Sequence, residues 1–142
     1  MVNVAEFSQE NQEIVHLSAI LRILVDNGDL RDNPVFCDLL SRFRDRIWAH
    51  LVHEDKAVYA ELLNHPDRSV NEVADQFINN THSLKKILST YLKRWCHTPG
   101  SIAGGRESND TFLQETQEIF RLVDERISLE NTKLFPIILN KG

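Results

Sequence analysis

The chain has 142 residues, of which 42% are hydrophobic and 26% charged, which is the size and composition of a single globular domain over residues 1–142. A formal net charge of -5 and a pI of about 5.6 give it no general attraction for nucleic acid or anionic lipid. No apolar run approaches the roughly 20 residues that cross a bilayer, and the first residues carry no Lys or Arg, unlike a signal peptide. We therefore expect a cytoplasmic protein that binds neither nucleic acid nor membrane.

The first predicted helix runs from about Ser8, which can cap it, to about Asp26, with Gly28 placed to end it. One face of this helix carries His16, Ile20, Ile23 and Leu24. His16 is therefore expected on the core side, either hydrogen-bonded to a neighbouring side chain or as part of a polar site.

The second predicted helix begins at Asn33-Pro34 and ends near Asn64, before the next proline. Its core stripe, in steps of four and three, is Phe36, Leu40, Phe43, Ile47, His50, Glu54, Ala57 and Glu61. His50 and Glu54 thus occupy positions where Leu or Ile is expected. An unpaired buried carboxylate or imidazole costs several kcal/mol, so another helix must supply a partner. His53, one turn from His50, lines the same site or lies at the surface.

The third predicted helix runs from Ser69, a candidate cap, to Trp95. Its core stripe is Val70, Val73, Phe77, Thr81, Leu84, Leu88, Tyr91 and Trp95. Thr81 faces the core near the middle of this helix, and His82 lies on the flank, exposed or marginal.

Residues 96–110 are rich in Gly, Ser, Pro and Asn and are expected to form a connecting loop, a lid or a segment that binds a partner. Cys37 and Cys96 do not form a CxxC pair. In a cytosolic chain, two distant cysteines are expected to be buried thiols rather than a disulfide.

The fourth predicted helix begins near Asp110, and Pro136 is expected to bend or end it. Its core stripe is Phe112, Thr116, Ile119, Val123, Arg126, Glu130 and Leu134. Four amphipathic segments without alternation of period two predict an all-α fold, an up-down-up-down four-helix bundle.

Polar residues that interrupt apolar stripes are expected to meet at one level of such a bundle; here they are His16, His50, Glu54, Arg126 and Glu130. A pair at i and i+4 lets one helix supply two metal ligands. Imidazole nitrogen together with carboxylate oxygen suits iron, zinc or manganese.

Two stretches resemble the HxxxE segments of hemerythrin-like (HHE cation-binding) domains: HLVHEDKAVYAEL, with His50-x-x-x-Glu54, and RISLENTKLFP, with Glu130 before Leu134-Phe135-Pro136. The resemblance implies a four-helix bundle with a non-haem di-iron centre that binds oxygen or nitric oxide, senses redox state or handles iron. It places His16, His50, Glu54 and Glu130 at ligand positions.

The sequence departs from that family pattern at two positions. Arg126 replaces the last-helix histidine, and Thr81 stands at the third-helix position, with His82 one residue out of register. Arginine keeps its proton and cannot be a ligand, but its guanidinium can contact Glu54 and Glu130 in place of a metal ion. The expected cofactor is then one iron ion, an incomplete di-iron centre, or none.

Two functions follow from these features. One is a metal-binding sensor or carrier whose small ligand is oxygen or nitric oxide; the other is a metal-free interaction or regulatory module whose buried Arg126, Glu54 and Glu130 network replaces the metal site and whose surface binds a protein partner. An iron-dependent oxidase or a related enzyme is a third and less favoured function, because the sequence identifies no substrate pocket and no nucleophile with its base. No catalytic residue is predicted, and the oligomeric state is left open.

Overall fold

The computed structural model describes residues 3–26, 34–96 and 109–140, and these form four helices with no strand among them. The first and third helices, α1 and α3, are continuous: Val4–Asp26 and Arg68–Trp95. The second, α2, consists of Pro34–Glu54, a π-helical turn Asp55–Tyr59 and a last α-helical turn Ala60–Leu63. The fourth, α4, consists of Asn109–Leu129, a π-helical turn Glu130–Leu134 and a last segment Phe135–Asn140. The predicted all-α class is confirmed.

Each helix packs against the next, and α1 also packs against α4, so that the four close into a bundle. The start of α1 lies beside the C-terminal half of α2, and the start of α2 lies beside the end of α3. These neighbours therefore run antiparallel, as the up-down-up-down prediction requires. None of the helices in the described part of the chain combines the length and the apolarity needed to cross a bilayer.

The buried face of α1 differs from the predicted one. It consists of Phe7, Asn11, Ile14, Ser18, Leu21 and Val25. Ile20 and Ile23 are 39% and 67% exposed, and His16 is exposed as well, so the prediction that His16 faces the core is wrong. The true stripe advances by four and three residues over the whole helix, but it is harder to recognise because two of its members, Asn11 and Ser18, are polar.

The π-helical turn of α2 changes which residues face the core after Glu54. Hydrogen bonds from i to i+5 insert one extra residue into the turn, so the stripe moves forward by one position. Val58 and Leu62 are therefore buried where Ala57 and Glu61 were expected, and Glu61 is exposed.

The predicted stripe of α4 is confirmed, since all seven of its members are buried. Pro136 does not end this helix, which continues to Asn140, because the proline lies two residues after a π-helical turn, where the usual i to i+4 bonding is already interrupted. In α3 the cap is Asp67 rather than Ser69, and its carboxylate accepts a hydrogen bond from the backbone N–H of Ser69 at 2.9 Å. The first helix starts at Val4 rather than at Ser8.

Cys37 and Cys96 form a disulfide with a Cα–Cα distance of 5.9 Å, so the expectation of two thiols is wrong. The reason is that antiparallel packing brings the start of α2 next to the end of α3, which a reading of each helix alone does not show. The described residues do not include Gly28, Asn33 or residues 97–108 of the predicted loop.

The apolar core is divided into two clusters of buried side chains. The larger cluster occupies the end of the bundle that carries the disulfide and includes Ile14, Ile47, Leu84 and Val123. The smaller cluster, at the opposite end, includes Phe7, Val58, Phe77 and Leu134. On every helix, the residues between the two clusters are polar: Asn11, His50 with Glu54, Thr81, and Arg126 with Glu130. A buried polar layer therefore crosses the bundle.

Candidate metal centre

Four ionisable side chains form the centre of this polar layer: His50 and Glu54 from α2, and Arg126 and Glu130 from α4. Each is at most 3% exposed, and both glutamates are completely buried. Helices α2 and α4 face each other here, so the i, i+4 pair of α2 meets the i, i+4 pair of α4. These four side chains meet in the structure, as the sequence predicts.

The imidazole of His50 lies against both carboxylates. Its Nε2 atom is 2.5 Å from Oε1 of Glu54 and 2.8 Å from Oε1 of Glu130, with the hydrogen bond directed to Glu130. Oε1 of Glu54 is buried and is in ion-pair contact with this imidazole. The other ring nitrogen of His50, Nδ1, is 2.6 Å from Oε1 of Glu10 on α1. A carboxylate on the far ring nitrogen orients an imidazole and makes the near nitrogen a better metal ligand.

Arg126 occupies the opposite side of the two glutamates. Its Nε donates to Oε2 of Glu130 at 2.8 Å, and its Nη2 donates to Oε2 of Glu54 at 3.0 Å. The remaining donors reach Tyr59, Asn80 and the backbone carbonyl of Phe77. Each glutamate thus turns one oxygen toward His50 and the other toward Arg126. The guanidinium bridges the carboxylates just as a second cation would.

The first helix contributes partners of these residues rather than a ligand of its own. Asn11 Nδ2 donates to Oε1 of Glu130 at 2.8 Å. Glu10 contacts His50 through one oxygen and His53 through the other, at 2.8 Å from its Nδ1. His53 is about one-third exposed, so Glu10 connects the buried imidazole to one near the surface.

The two π-helical turns lie next to the glutamates of the site: the first begins directly after Glu54 and the second begins at Glu130. The turn after Glu54 brings Tyr59 inward, where its hydroxyl donates to Oε2 of Glu54 at 2.8 Å. Burial raises the pKa of Tyr59, so this hydroxyl stays protonated. The second turn begins at Glu130 itself. Single π-helical turns inside α-helices often mark functional sites, and here one follows Glu54 directly and the other begins at Glu130.

The electrostatics of the layer favour positive charge between the carboxylates. Burial by itself lowers the pKa of His50, but the contacts with Glu130 and Glu54 outweigh it and raise this pKa to about 10. Burial, together with the neighbouring Glu130, raises the pKa of Glu54 to about 7. For Glu130 the effect of burial is overcome by Glu54, His50 and Arg126, which hold its pKa below the usual range. At neutral pH a proton on His50 therefore occupies the position that a cation would take.

The donor set fits one metal ion. His50, Glu54 and Glu130 each offer a ligand atom, and these atoms lie within 4.8 Å of one another. One imidazole and two carboxylates suit a divalent transition metal. Arg126 contacts the other oxygens of both glutamates, Oε2 of Glu54 at 3.0 Å and Oε2 of Glu130 at 2.8 Å.

Comparison with protein-family models matches residues 2–138 to the hemerythrin HHE cation-binding domain. The chain belongs to the hemerythrin family. Neither the comparison with curated proteins nor that with solved structures found a match. The family description names cation binding, and the buried cluster of His50, Glu54 and Glu130 in this hemerythrin domain is suited to it.

The remaining sequence-predicted site residues lie outside the group of three ligand atoms. His16 is exposed on α1 and does not reach the site, so it is not one of these ligands. Thr81 is buried beside the Tyr59 hydroxyl, and His82 is exposed. Both follow from the orientation of α3, which turns Thr81 and not His82 toward the core.

Sequence reasoning missed Glu10, Asn11, Tyr59 and Asn80. Asn11 carried a recognisable signal, because it interrupts the stripe of Phe7, Ile14 and Leu21 as Glu54 interrupts its own stripe. Tyr59 required knowledge of the π-helical turn. Glu10 and Asn80 lie at the margins of their buried faces, and only the packing of neighbouring helices shows their contacts.

Proposed function

We propose that the protein binds one iron ion through His50 Nε2, Glu54 Oε1 and Glu130 Oε1. The observation that carries this proposal is the group of three buried ligand atoms, from His50, Glu54 and Glu130, that lie within 4.8 Å of one another. Two buried carboxylates this close to each other repel, and a cation between them removes that cost.

Arg126 limits the centre to one ion in this proposal. Its positive charge compensates part of the negative charge of the two glutamates, and its donors fix their Oε2 atoms. Glu10 orients His50, and Asn11 holds Glu130 from the other side. All three ligands are thus positioned before a metal arrives.

Three protein ligands leave coordination positions on an iron ion open to a small ligand such as oxygen or nitric oxide. The apolar clusters above and below the layer exclude bulk water from that place. We therefore infer a role in sensing or carrying a diatomic gas, in redox sensing or in handling iron.

The test loads metal-free protein anaerobically with ferrous iron and then adds nitric oxide. We expect a new absorption band whose intensity saturates at one iron per chain. Glu54→Gln should abolish the band, because it replaces a charged ligand oxygen by an amide of similar shape. His82→Ala is the matched control, since His82 is exposed on α3, and it should leave the band unchanged. A band that survives Glu54→Gln would contradict the proposed ligands.

The alternative is a metal-free bundle that acts as an interaction or regulatory module. It is favoured by the completeness of the Arg126 contacts, since all three guanidinium nitrogens donate to protein groups. Under this alternative, ferrous iron gives neither the absorption band nor a rise in the melting temperature. A metal-bound protein should melt higher, because only the folded state presents the ligands together.

A cytoplasmic location stays a prediction. Disulfides such as Cys37–Cys96 persist mainly in oxidising compartments, so fractionation of cells followed by trapping of free thiols is the relevant measurement.

A further inference from the structure

The Cys37–Cys96 disulfide joins two helix ends of opposite polarity. Cys37 lies in the first turn of α2, which begins at Pro34, and this turn contains no acidic residue. Cys96 caps the C-terminus of α3, where its backbone N–H donates to the carbonyl of Leu92 at 2.8 Å. A helix N-terminus carries partial positive charge and a helix C-terminus partial negative charge. A thiolate is therefore more stable at Cys37 than at Cys96.

The two cysteines also differ in exposure. Cys37 is 4% exposed, whereas Cys96 is partly exposed at the edge of the larger apolar cluster. A thiol in solution therefore approaches the disulfide from the side of Cys96. The charged neighbours Asp38 and Lys93 are exposed, so solvent and salt screen their effect on the two sulfur atoms.

Thiol–disulfide exchange is fastest when the accessible sulfur is attacked and the other sulfur leaves as a stable thiolate. Exposure and helix polarity select the same direction here. The thiolate of an incoming dithiol bonds to Sγ of Cys96, and the bond between the two cysteines breaks as Cys37 leaves as a thiolate. The second thiol of the reductant then attacks the sulfur bound to Cys96 and releases Cys96. Two electrons and two protons have then passed from the dithiol, which becomes a disulfide, to the protein.

We propose that Cys37–Cys96 is a redox-active disulfide that exchanges with a dithiol reductant in the folded protein, with Cys96 as the attacked residue and Cys37 as the leaving thiolate. The bond then responds to the balance of thiols and disulfides around the protein. It lies at one end of the bundle, and the larger apolar cluster separates it from the polar layer. Its exchange is therefore independent of iron and of the proposed function.

The first experiment identifies the attacked sulfur in folded, metal-free protein. A brief treatment with glutathione is stopped with acid, free thiols are blocked with N-ethylmaleimide, and peptide mapping locates both modifications. We expect glutathione on Cys96 and maleimide on Cys37 in at least about tenfold excess over the reverse arrangement, since both helix ends and exposure favour this direction. Equal amounts of the two arrangements, or glutathione mainly on Cys37, would overturn the proposal.

The second experiment separates exchange in the folded state from reduction that requires unfolding. Trp95 is buried next to Cys96 in the chain and reports reduction by a rise in fluorescence, because a disulfide quenches a nearby indole. Trp48→Phe is the background, since the chain has two tryptophans and this substitution leaves Trp95 alone. We expect the rate to rise in proportion to dithiothreitol concentration and to change by less than about twofold in urea below the unfolding transition. A rate that levels off with dithiothreitol, or rises steeply in low urea, would overturn the proposal.

The third experiment asks whether both redox states are folded, as a reversible switch requires. Circular dichroism of the reduced protein should keep the helical signal, and oxidised glutathione should restore the bond. The double variant Cys37→Ser with Cys96→Ser is the matched control, because it cannot form the bond. It should be as helical as the reduced protein, and its Trp95 fluorescence should not respond to dithiothreitol. Loss of the helical signal on reduction would overturn the proposal and make the disulfide purely structural.

Discussion

Replacing Arg126 by methionine should destabilise the metal-free protein strongly. The substitution keeps much of the side-chain volume but removes the cation that bridges Glu54 and Glu130, and it leaves Tyr59 and Asn80 without their donor. Breaking a buried ion pair by removing one partner costs about 3 to 5 kcal/mol. Arg126 is 3% exposed, so solvent does not reduce this cost much.

The cost should also depend on pH, because Glu54 already has a pKa of about 7. Without Arg126 this pKa rises further, and the folded variant takes up a proton that the wild type releases. The difference in unfolding free energy between the two proteins therefore grows above pH 7, by up to about 1.4 kcal/mol per pH unit. The difference in unfolding free energy between variant and wild type should therefore be smaller at pH 6 than at pH 8.

Urea denaturation followed by circular dichroism at pH 6 and pH 8, with a chelator present, measures both effects. Arg121→Met is the matched control, because Arg121 lies on the same helix but is 58% exposed and pairs with the surface residues Glu118 and Glu125. It should change the unfolding free energy by less than about 1 kcal/mol. If Arg126→Met does not fold at pH 8, the double variant with Glu54→Gln should restore folding. Equal costs for the two arginine substitutions would refute the account of the buried layer.

Three further predictions concern protons, the disulfide and the second cation position. In the folded, metal-free protein the pKa values of His50 (about 10) and Glu54 (about 7) lie above those of the unfolded chain, so protonation of both groups stabilises the fold fully at low pH. The unfolding free energy should therefore fall between pH 4.5 and 7 through Glu54 and between pH 6.5 and 10 through His50. Denaturation curves across this pH range test the prediction, and a rise in the unfolding free energy would contradict it. Reduction of Cys37–Cys96, which are separated by 59 residues, should lower the unfolding free energy by up to about 4 kcal/mol, and identical denaturation curves with and without reductant would show that the bond is not formed. Arg126→His should fold and increase the metal bound per chain, because it exchanges a fixed cation for a ligand; titration with ferrous iron that shows no gain would contradict this.

The fold and half of the site could be predicted because the apolar stripes of α2 and α4 are long and regular. On such stripes, His50, Glu54, Arg126 and Glu130 stand out as polar residues at buried positions. Because an unpaired buried charge is costly, these residues are predicted to pair with one another, whatever their exact geometry.

The prediction failed where local rules compete or where partners are distant in sequence. His16 was placed inward because α1 carries apolar residues on two faces, and Ile20 and Ile23 on the outer face resemble a core stripe. The π-helical turn moved Tyr59 into the site and Glu61 out of the core. Nothing in a single helix indicates that Cys37 and Cys96 meet.

The most direct test of the central claim is the metal content of the wild-type protein, purified without oxygen and supplied with excess ferrous iron. Elemental analysis should give one iron ion per chain, held between His50, Glu54 and Glu130 with Arg126 in the place of a second. Two ions per chain would mean that Arg126 moves aside, and no iron at all would mean that the buried charges compensate one another alone; either result contradicts the account.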